Sequence, residues 1–192
     1  MPSRSRQRWI DERLPALDEL ESAHRAVGGT GRGRRYATQQ INQAYTVLLS
    51  SQFQGFCREL YAEASDHLVG HLAPPPPLRA IVREQFTVGL KLNHGNPAPG
   101  NLGADFGRLG FKLWDQLKAH HPRNAARKDA LDELNDWRNA IAHHDFDPTK
   151  LGGTTVTLAT VRRWRAACNG LAASLDAVVG AQIQSLVGAA PW

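Results

Sequence analysis

Residues 38–72 read TQQINQAYTVLLSSQFQGFCRELYAEASDHLVGHL, and this segment carries the strongest structural signal in the chain. Its large apolar residues recur at steps of three and four, the spacing that places side chains on one face of an α-helix. They are Ile41, Tyr45, Leu48, Leu49, Phe53, Phe56, Leu60 and Leu68. Thr38 is a suitable N-cap, and the four prolines at 74–77 must end the helix because proline cannot continue it. We therefore predict one long amphipathic helix beginning at about Thr38.

The same helical spacing continues after the prolines, which we expect to form an extended connector. It predicts a short helix over 78–90, a helix over 102–117, a helix capped by Asn124 and a last helix from about Thr157. No segment shows sustained alternation of apolar and polar residues, so a sheet is not expected. The predicted fold is an all-α bundle of about five helices occupying residues 38–192.

Residues 1–37 are predicted to be a basic N-terminal extension of that bundle. They hold a weaker amphipathic segment over 9–27, followed by a Gly/Arg-rich linker over 28–35. Residues 1–35 contain eight Lys and Arg against five Asp and Glu. The glycines of the linker follow no strand and precede no Gly-Lys-Ser/Thr, so a flexible connection is favoured over a phosphate-binding loop.

Composition excludes several classes of protein. Of 192 residues, 42% are hydrophobic and 21% are charged, which is typical of a globular chain. The two cysteines, Cys57 and Cys168, lie on apolar helix faces without paired spacing, which indicates packing in a reducing compartment. Polar residues interrupt the apolar stretch over 166–190, and the N-terminus lacks the apolar core of a signal peptide. We expect a cytoplasmic protein without membrane contact.

Metal and cofactor sites are not expected. His67 and His71 lie one helical turn apart, which is a spacing that can hold a metal ion. However, the sequence shows neither the glutamate of a metalloprotease helix nor an obvious third ligand.

Basic residues cluster in two stretches of a chain whose net charge is +5. The candidates for RNA backbone contact are Lys118, Arg123, Arg127 and Lys128 in one stretch, and Arg162, Arg163 and Arg165 in the other. Such patches suit the phosphates of nucleic acids. A solvated helix face has the same composition, so charge alone leaves both interpretations open.

The most informative polar pattern lies over 134–145, which reads LNDWRNAIAHHD. At about 100° per residue, Asn139 and His143 share a helix face directed away from the core, with Arg138 at the core margin. The positions that define the buried side are Ala130, Leu134, Trp137 and Ile141. Histidine can exchange a proton at neutral pH and arginine can stabilise a developing negative charge. A solvated helix end, with His143 and His144 favouring the C-terminal dipole, is the alternative.

This pattern resembles the Arg-Asn-x-x-x-His signature of the HEPN superfamily. Other segments are similar to the RiboL-PSP-type HEPN proteins, namely 44–60, 95–97 (GNP), 105–110 (DFGRLG), 114–115 (WD) and 188–192 (GAAPW). The resemblance covers roughly residues 40–192. It implies a HEPN-like bundle that pairs as a homodimer and brings two Arg/His sets to one cleft.

The activity that the resemblance implies is metal-independent endoribonuclease cleavage, in which the ribose 2′-OH attacks and leaves 2′,3′-cyclic phosphate and 5′-OH ends. By the same resemblance, Arg138 stabilises the charged transition state, His143 is the general base or acid, and Asn139 orients His143 or the phosphate. The doubled histidine leaves open whether His143 or His144 is catalytic, and Glu59 is a further candidate to assist. The role implied is that of a toxin or defence effector, with RNA and a separately encoded antitoxin as partners. The alternative is a HEPN module that binds nucleic acid or protein without cleavage.

Overall fold

The computed structural model describes residues 1–28 and 36–192, and the described part is helical with no strand. The all-α prediction is therefore confirmed. The helices are α1 (Arg4–Arg8), α2 (Leu14–Gly28), α3 (Tyr36–Leu72), α4 (Pro76–Thr87), α5 (Pro99–Gly107), α6 (Leu113–His120), α7 (Asn124–His143), α8 (Pro148–Leu151) and α9 (Leu158–Val187). A π-helical turn, Trp9–Arg13, joins α1 to α2, and a 3₁₀ turn, Lys91–Asn93, precedes α5.

The helices α3 and α9 are the centre of the bundle and run parallel. Near the start of both helices, Asn42 Nδ2 of α3 donates to the carbonyl of Val156, just before α9, at 3.0 Å. Further along the two helices, Glu63 of α3 and Asp176 of α9 accept hydrogen bonds from the same N-terminal segment, from Ser5 and Ser3 respectively. On one side α7 runs antiparallel to α9, with the rings of Trp137 and Trp164 6.4 Å apart. Apolar faces from all of these helices meet in one core, which is why each of them shows helical spacing.

The N-terminal segment, which the sequence predicts as an extension, packs into the same core on the other side of α3 and α9. Trp9 and Leu17 are fully buried, and Trp9 Nε1 donates to Asn169 Oδ1 at 3.0 Å. The predicted boundary at residue 37 lies just after the Gly/Arg-rich linker over 28–35. Residues 29–35 of that linker lie outside the described residues. The bundle therefore begins well before the residue predicted from periodicity.

Several predicted boundaries are wrong, each for a local reason. The helix α3 begins at Tyr36, so Thr38 lies inside its first turn and is not the N-cap. The proline tract is not wholly an extended connector, since Pro76 begins α4 at the position where the missing N–H of proline costs nothing. The helix predicted over 102–117 is divided into α5 and α6, with Gly110 between them at a φ of +84°.

Two predicted side-chain roles also differ. Asn124 is the first residue of α7 and does not cap it; its Nδ2 donates to the Leu117 carbonyl at 2.7 Å. Leu78 and Ile81, predicted as the inner face of the helix after the prolines, are 51% and 55% exposed. The prediction of Thr157 as the start of the last helix is confirmed, because its side chain accepts from the Thr160 N–H at 3.1 Å.

One helix of the described part, α9, is long and apolar enough to cross a membrane by length and composition alone, and 44% of its most apolar window is buried. A helix at the centre of a bundle meets the same criteria, so this is weak evidence. The absence of membrane contact stays a prediction.

Glu21 on α2 ties the N-terminal segment to α9. Its carboxylate accepts from Arg162 Nε at 2.8 Å and lies 3.6 Å from Arg165 Nη1, while Arg25 approaches from the same helix. The hydrogen bond from Arg162 lowers the pKa of the Glu21 carboxyl. The folded protein thus favours ionised Glu21 more than the unfolded chain does. That stabilisation is present above the pKa of an unfolded glutamate, about 4.3, and is lost as the pH falls through the lower folded value.

We expect Glu21→Gln to lower the free energy of unfolding at pH 7 by about 1–3 kcal/mol, because the arginines lose a charged acceptor. The variant should also lose less stability than the wild type as the pH falls from about 5 to about 3. Urea unfolding over this range measures both effects. Glu19→Gln removes the same charge from an exposed position on α2, and equal stability of the two variants would contradict the prediction.

Candidate functional site

The C-terminal end of α7 places His143 and His144 in different surroundings. Backbone hydrogen bonds from Asp145 N to the Ala140 carbonyl (2.9 Å) and from His144 N to the Ile141 carbonyl (3.4 Å) close a Schellman motif. His144 is the left-handed residue of that motif, with a φ of 53°, and its ring lies 5.5 Å from that of Phe146. His143 is the last residue of the helix and is exposed. The second histidine thus ends the helix in this structure.

A cavity of about 240 Å³ lies beside His143, between the end of α7 and α8. Its lining includes Asn139, so the two residues that helical spacing places on one outward face do share a concave surface. The remaining lining residues are Asp136, Ala140, Asp145, Asp147, Lys150 and Leu151. Neither Arg138 nor His144 lines it. The His143 side chain is exposed and has no hydrogen-bond partner among the described residues.

Arg138 reaches this site through Asn139. Its Nη1 donates to Asn139 Oδ1 at 3.3 Å, and the same oxygen accepts from Asn96 Nδ2 at 3.1 Å. The buried side of α7 is displaced from the predicted one, because Leu131 and Asn135 are buried while Ile141 is only half-buried. Arg138 is consequently half-buried, with buried residues on both sides of it on the helix surface. Its guanidinium lies near the loop that contains Asn96, since both residues donate to Asn139 Oδ1. Sequence reasoning noted the Gly-Asn-Pro segment but assigned Asn96 no role.

The loop that contains Asn96 is held from three helices. Gln54 of α3 donates to the Leu92 and Gly95 carbonyls, both at 2.7 Å. Asn101 of α5 donates to the Asn96 carbonyl at 2.9 Å, and the buried Asn135 of α7 donates to the Pro97 carbonyl at 3.2 Å. Ser50 Oγ in turn donates to Asn135 Oδ1 at 3.3 Å. These bonds connect the site to the centre of the bundle.

Carboxylates dominate the rim of the cavity. Asp136 is paired with Lys150 at 2.6 Å, and this contact raises the pKa of the lysine. The Thr149 N–H donates to Asp147 at 2.9 Å and lowers the pKa of that carboxyl, so Asp147 is ionised at neutral pH. Asp145 is exposed. Apart from His143, the charged groups of the described lining are therefore three carboxylates and one ammonium group.

The structure does not bring Glu59 to this site. Its Oε1 accepts from Arg13 at 2.7 Å and from Arg8 at 3.1 Å, which anchors the N-terminal segment on α3. The cavities that Glu59 lines contain neither Asn139 nor His143. A role for Glu59 beside His143 therefore finds no geometric support.

The predicted RNA-binding arginines of α9 are engaged within the protein. Arg162 pairs with Glu21, and Arg163 Nη2 lies 2.6 Å from Glu133. Arg165 Nη1 lies 2.7 Å from Asp18 and donates to Tyr45 Oη at 3.1 Å. Their charge is thus largely balanced by carboxylates of α2 and α7.

The other predicted cluster lies away from the cavity. Lys118 and Arg123 are exposed, Arg127 donates to Asn124 Oδ1 at 2.8 Å, and the Lys128 ammonium lies 5.4 Å from the centre of the Trp114 ring. By helical geometry, Arg127 is roughly 24 Å along α7 from His143 and about 160° around it. An RNA strand on this cluster would lie on a different face of α7 from the candidate site.

The described residues contain no group of three or more His, Cys, Asp or Glu side chains placed to hold a metal ion. His67 and His71 lie with their ring centres 4.5 Å apart. The pKa of His67 is lowered mainly by burial and to a smaller extent by the positive charge of the neighbouring His71. Cys57 and Cys168 are free and fully buried, and burial raises the pKa of both thiols, consistent with packing.

Comparison with known proteins adds no assignment. No family model, curated protein or solved structure matches the chain.

Proposed function

We propose that the protein is a metal-independent endoribonuclease of the HEPN type. The observation that carries the proposal is the arrangement at the end of α7. Arg138 and Asn139 are joined by a hydrogen bond, and Asn139 shares an open cavity with the exposed His143. A proton-transfer group, a cation and an amide donor can together promote phosphodiester cleavage through an internal hydroxyl, by moving the proton and stabilising the developing negative charge.

In the proposed reaction, an imidazole removes the proton of the ribose 2′-OH, and the 2′ oxygen attacks the adjacent phosphorus. The bond from phosphorus to the 5′ oxygen breaks, and that oxygen takes up a proton from an imidazolium or from water, which leaves no net change in protons. The products carry a 2′,3′-cyclic phosphate and a 5′-OH. His143 transfers the proton, Arg138 stabilises the negative charge that develops on the phosphoryl oxygens, and Asn139 donates to the same oxygens.

The acidic rim means that the proposed reaction needs positive charge from outside the cavity. A phosphodiester that enters the cavity of one protomer meets Asp136, Asp145 and Asp147, and among the described lining residues only Lys150 and His143 are basic. Coulomb repulsion opposes that approach. A second protomer that placed its own Arg138 against the cavity would supply the missing positive charge. The proposal accordingly includes a symmetric dimer, RNA as substrate, and a toxin or defence role restrained by a separately encoded partner.

A mixed RNA pool incubated with the purified protein in EDTA tests the function. We expect cleavage with cyclic phosphate ends, because the site as described needs no metal ion. An RNA with a 2′-deoxy sugar at the scissile position should resist cleavage, since it lacks the nucleophile. Cleavage that requires added Mg²⁺, or that proceeds at the 2′-deoxy position, would contradict the proposal.

A protein-interaction module is the second candidate, and one observation favours it. Leu72, Leu78, Ile81 and Val88, on or next to α4, are each between 51% and 60% exposed. Neighbouring exposed aliphatic side chains are typical of surfaces that bind protein. A module of this kind would show neither RNA cleavage nor salt-sensitive RNA binding.

A further inference from the structure

We propose that Asn96 is a positioning residue that turns the NH₂ group of Asn139 toward the cavity. The inference rests on the ribonuclease function proposed above and assigns a role to a residue outside the Arg-Asn-x-x-x-His segment. Asn96 lies 43 residues before Asn139 in the chain and contacts it through a side-chain hydrogen bond.

The hydrogen bonds determine the orientation of the Asn139 amide. Its Oδ1 accepts from Asn96 Nδ2 at 3.1 Å and from Arg138 Nη1 at 3.3 Å. With two donors on the oxygen, the NH₂ group points the other way within the amide plane, away from Asn96 and Arg138. Within the described residues this NH₂ group has no partner, and Asn139 lines the cavity. Its two N–H donors are therefore available to a ligand there.

The orientation matters because the substrate is an anion. An NH₂ group donates to phosphate oxygens, whereas the amide oxygen in its place would repel them. The neighbouring carboxylates already disfavour an anion in the cavity, so the direction of the Asn139 amide dipole has a large effect on phosphate binding. Since Asn139 Oδ1 is shared, the same contact restrains the guanidinium of Arg138.

Asn96 is placed firmly enough to set this orientation. The carbonyls of Gly95, Asn96 and Pro97 accept hydrogen bonds from Gln54, Asn101 and Asn135, which lie on α3, α5 and α7 respectively. Three successive peptide units are thus each held by a different helix. The Asn96 side chain can hold the Asn139 amide in one orientation, because the backbone of this loop has little freedom to move with it.

The test uses Asn96→Asp, which keeps the shape of the side chain and replaces its donor with a second acceptor. We expect kcat to fall roughly 10- to 100-fold with a smaller change in KM, because small misplacements of catalytic groups slow the reaction by factors of this size. Asn93→Asp adds the same charge to an exposed position in the same segment and should cleave at the wild-type rate. Asn96→Ala, which removes the donor without adding charge, is the substitute if Asn96→Asp does not fold.

A second measurement does not depend on cleavage. In ¹⁵N–¹H spectra, Asn96→Asp should shift the Asn139 side-chain amide and the Arg138 Nε–H signals, and Asn93→Asp should leave both in place. Unmoved signals in Asn96→Asp, or cleavage as fast as that of Asn93→Asp, would overturn the proposal. A wild-type protein that does not cleave RNA would refute the ribonuclease function, while the spectra would still decide the role of Asn96.

Discussion

Replacing His143 with alanine is expected to slow RNA cleavage by roughly 10²- to 10⁴-fold, the usual contribution of a general acid or base. His143 is exposed at the last position of α7 and lines the cavity with Asn139, so alanine removes an imidazole that the fold does not require. The melting temperature should stay at the wild-type value. Single-turnover cleavage in EDTA measures the effect directly.

His144→Gly is the matched control, because it removes the neighbouring imidazole. His144 has a φ of 53° and does not line the cavity, and glycine adopts this backbone conformation without strain. We expect this variant to cleave at the wild-type rate, which would settle the choice between the two histidines. Equal losses in both variants would contradict the assignment. Activity that survives in both His143→Ala and Arg138→Ala would indicate another site or another nuclease.

Replacing Trp137 with alanine is expected to lower the free energy of unfolding by about 3–5 kcal/mol. The side chain is 4% exposed, and its ring lies 6.4 Å from those of both Trp164 and Phe146. Truncation would leave a cavity where α7 packs against α9. For a chain of this length, the melting temperature should fall by roughly 6–20 °C.

Trp114→Ala provides the comparison for this prediction. Trp114 on α6 is half-buried and donates to the Pro99 carbonyl at 2.8 Å, so the same truncation removes less buried surface. We expect a smaller loss of stability, measured by urea unfolding of both variants. A melting temperature of Trp137→Ala equal to that of the wild type would show that α7 does not pack through this residue.

Much of the fold is predictable because helical spacing is a local property. The apolar positions of α3 and the placement of Trp137 on the inner face of α7 follow from residues three and four apart. Helix ends are less predictable, because the φ preferences of proline and glycine are compatible with more than one local structure. Pro76 begins a helix here instead of extending the connector, and Gly110 separates two helices. The packing of the N-terminal segment into the core is the least predictable feature, since the amphipathic pattern over 9–27 is weak although Trp9 and Leu17 are fully buried.

Within the candidate site, the same distinction applies. The outward face shared by Asn139 and His143 is a consequence of their four-residue separation, and the structure shows both on one cavity. The contact from Asn96 could not be predicted, because a loop brings it across 43 residues. Likewise, the pairing of Arg162 with Glu21 joins residues 141 positions apart, so local spacing could not predict which carboxylate this arginine meets.

The sequence by itself determined that this protein is all-α, which faces of its long helices are buried, and that an Arg-Asn-x-x-x-His set lies near the end of one of them. Only the tertiary structure decided which arginines are paired with carboxylates, that the second histidine ends α7, and that Asn96 donates a hydrogen bond to Asn139. The physical reason is range. Helix periodicity depends on neighbours within one turn, whereas ion pairs and side-chain hydrogen bonds depend on which distant segments the packed core brings together.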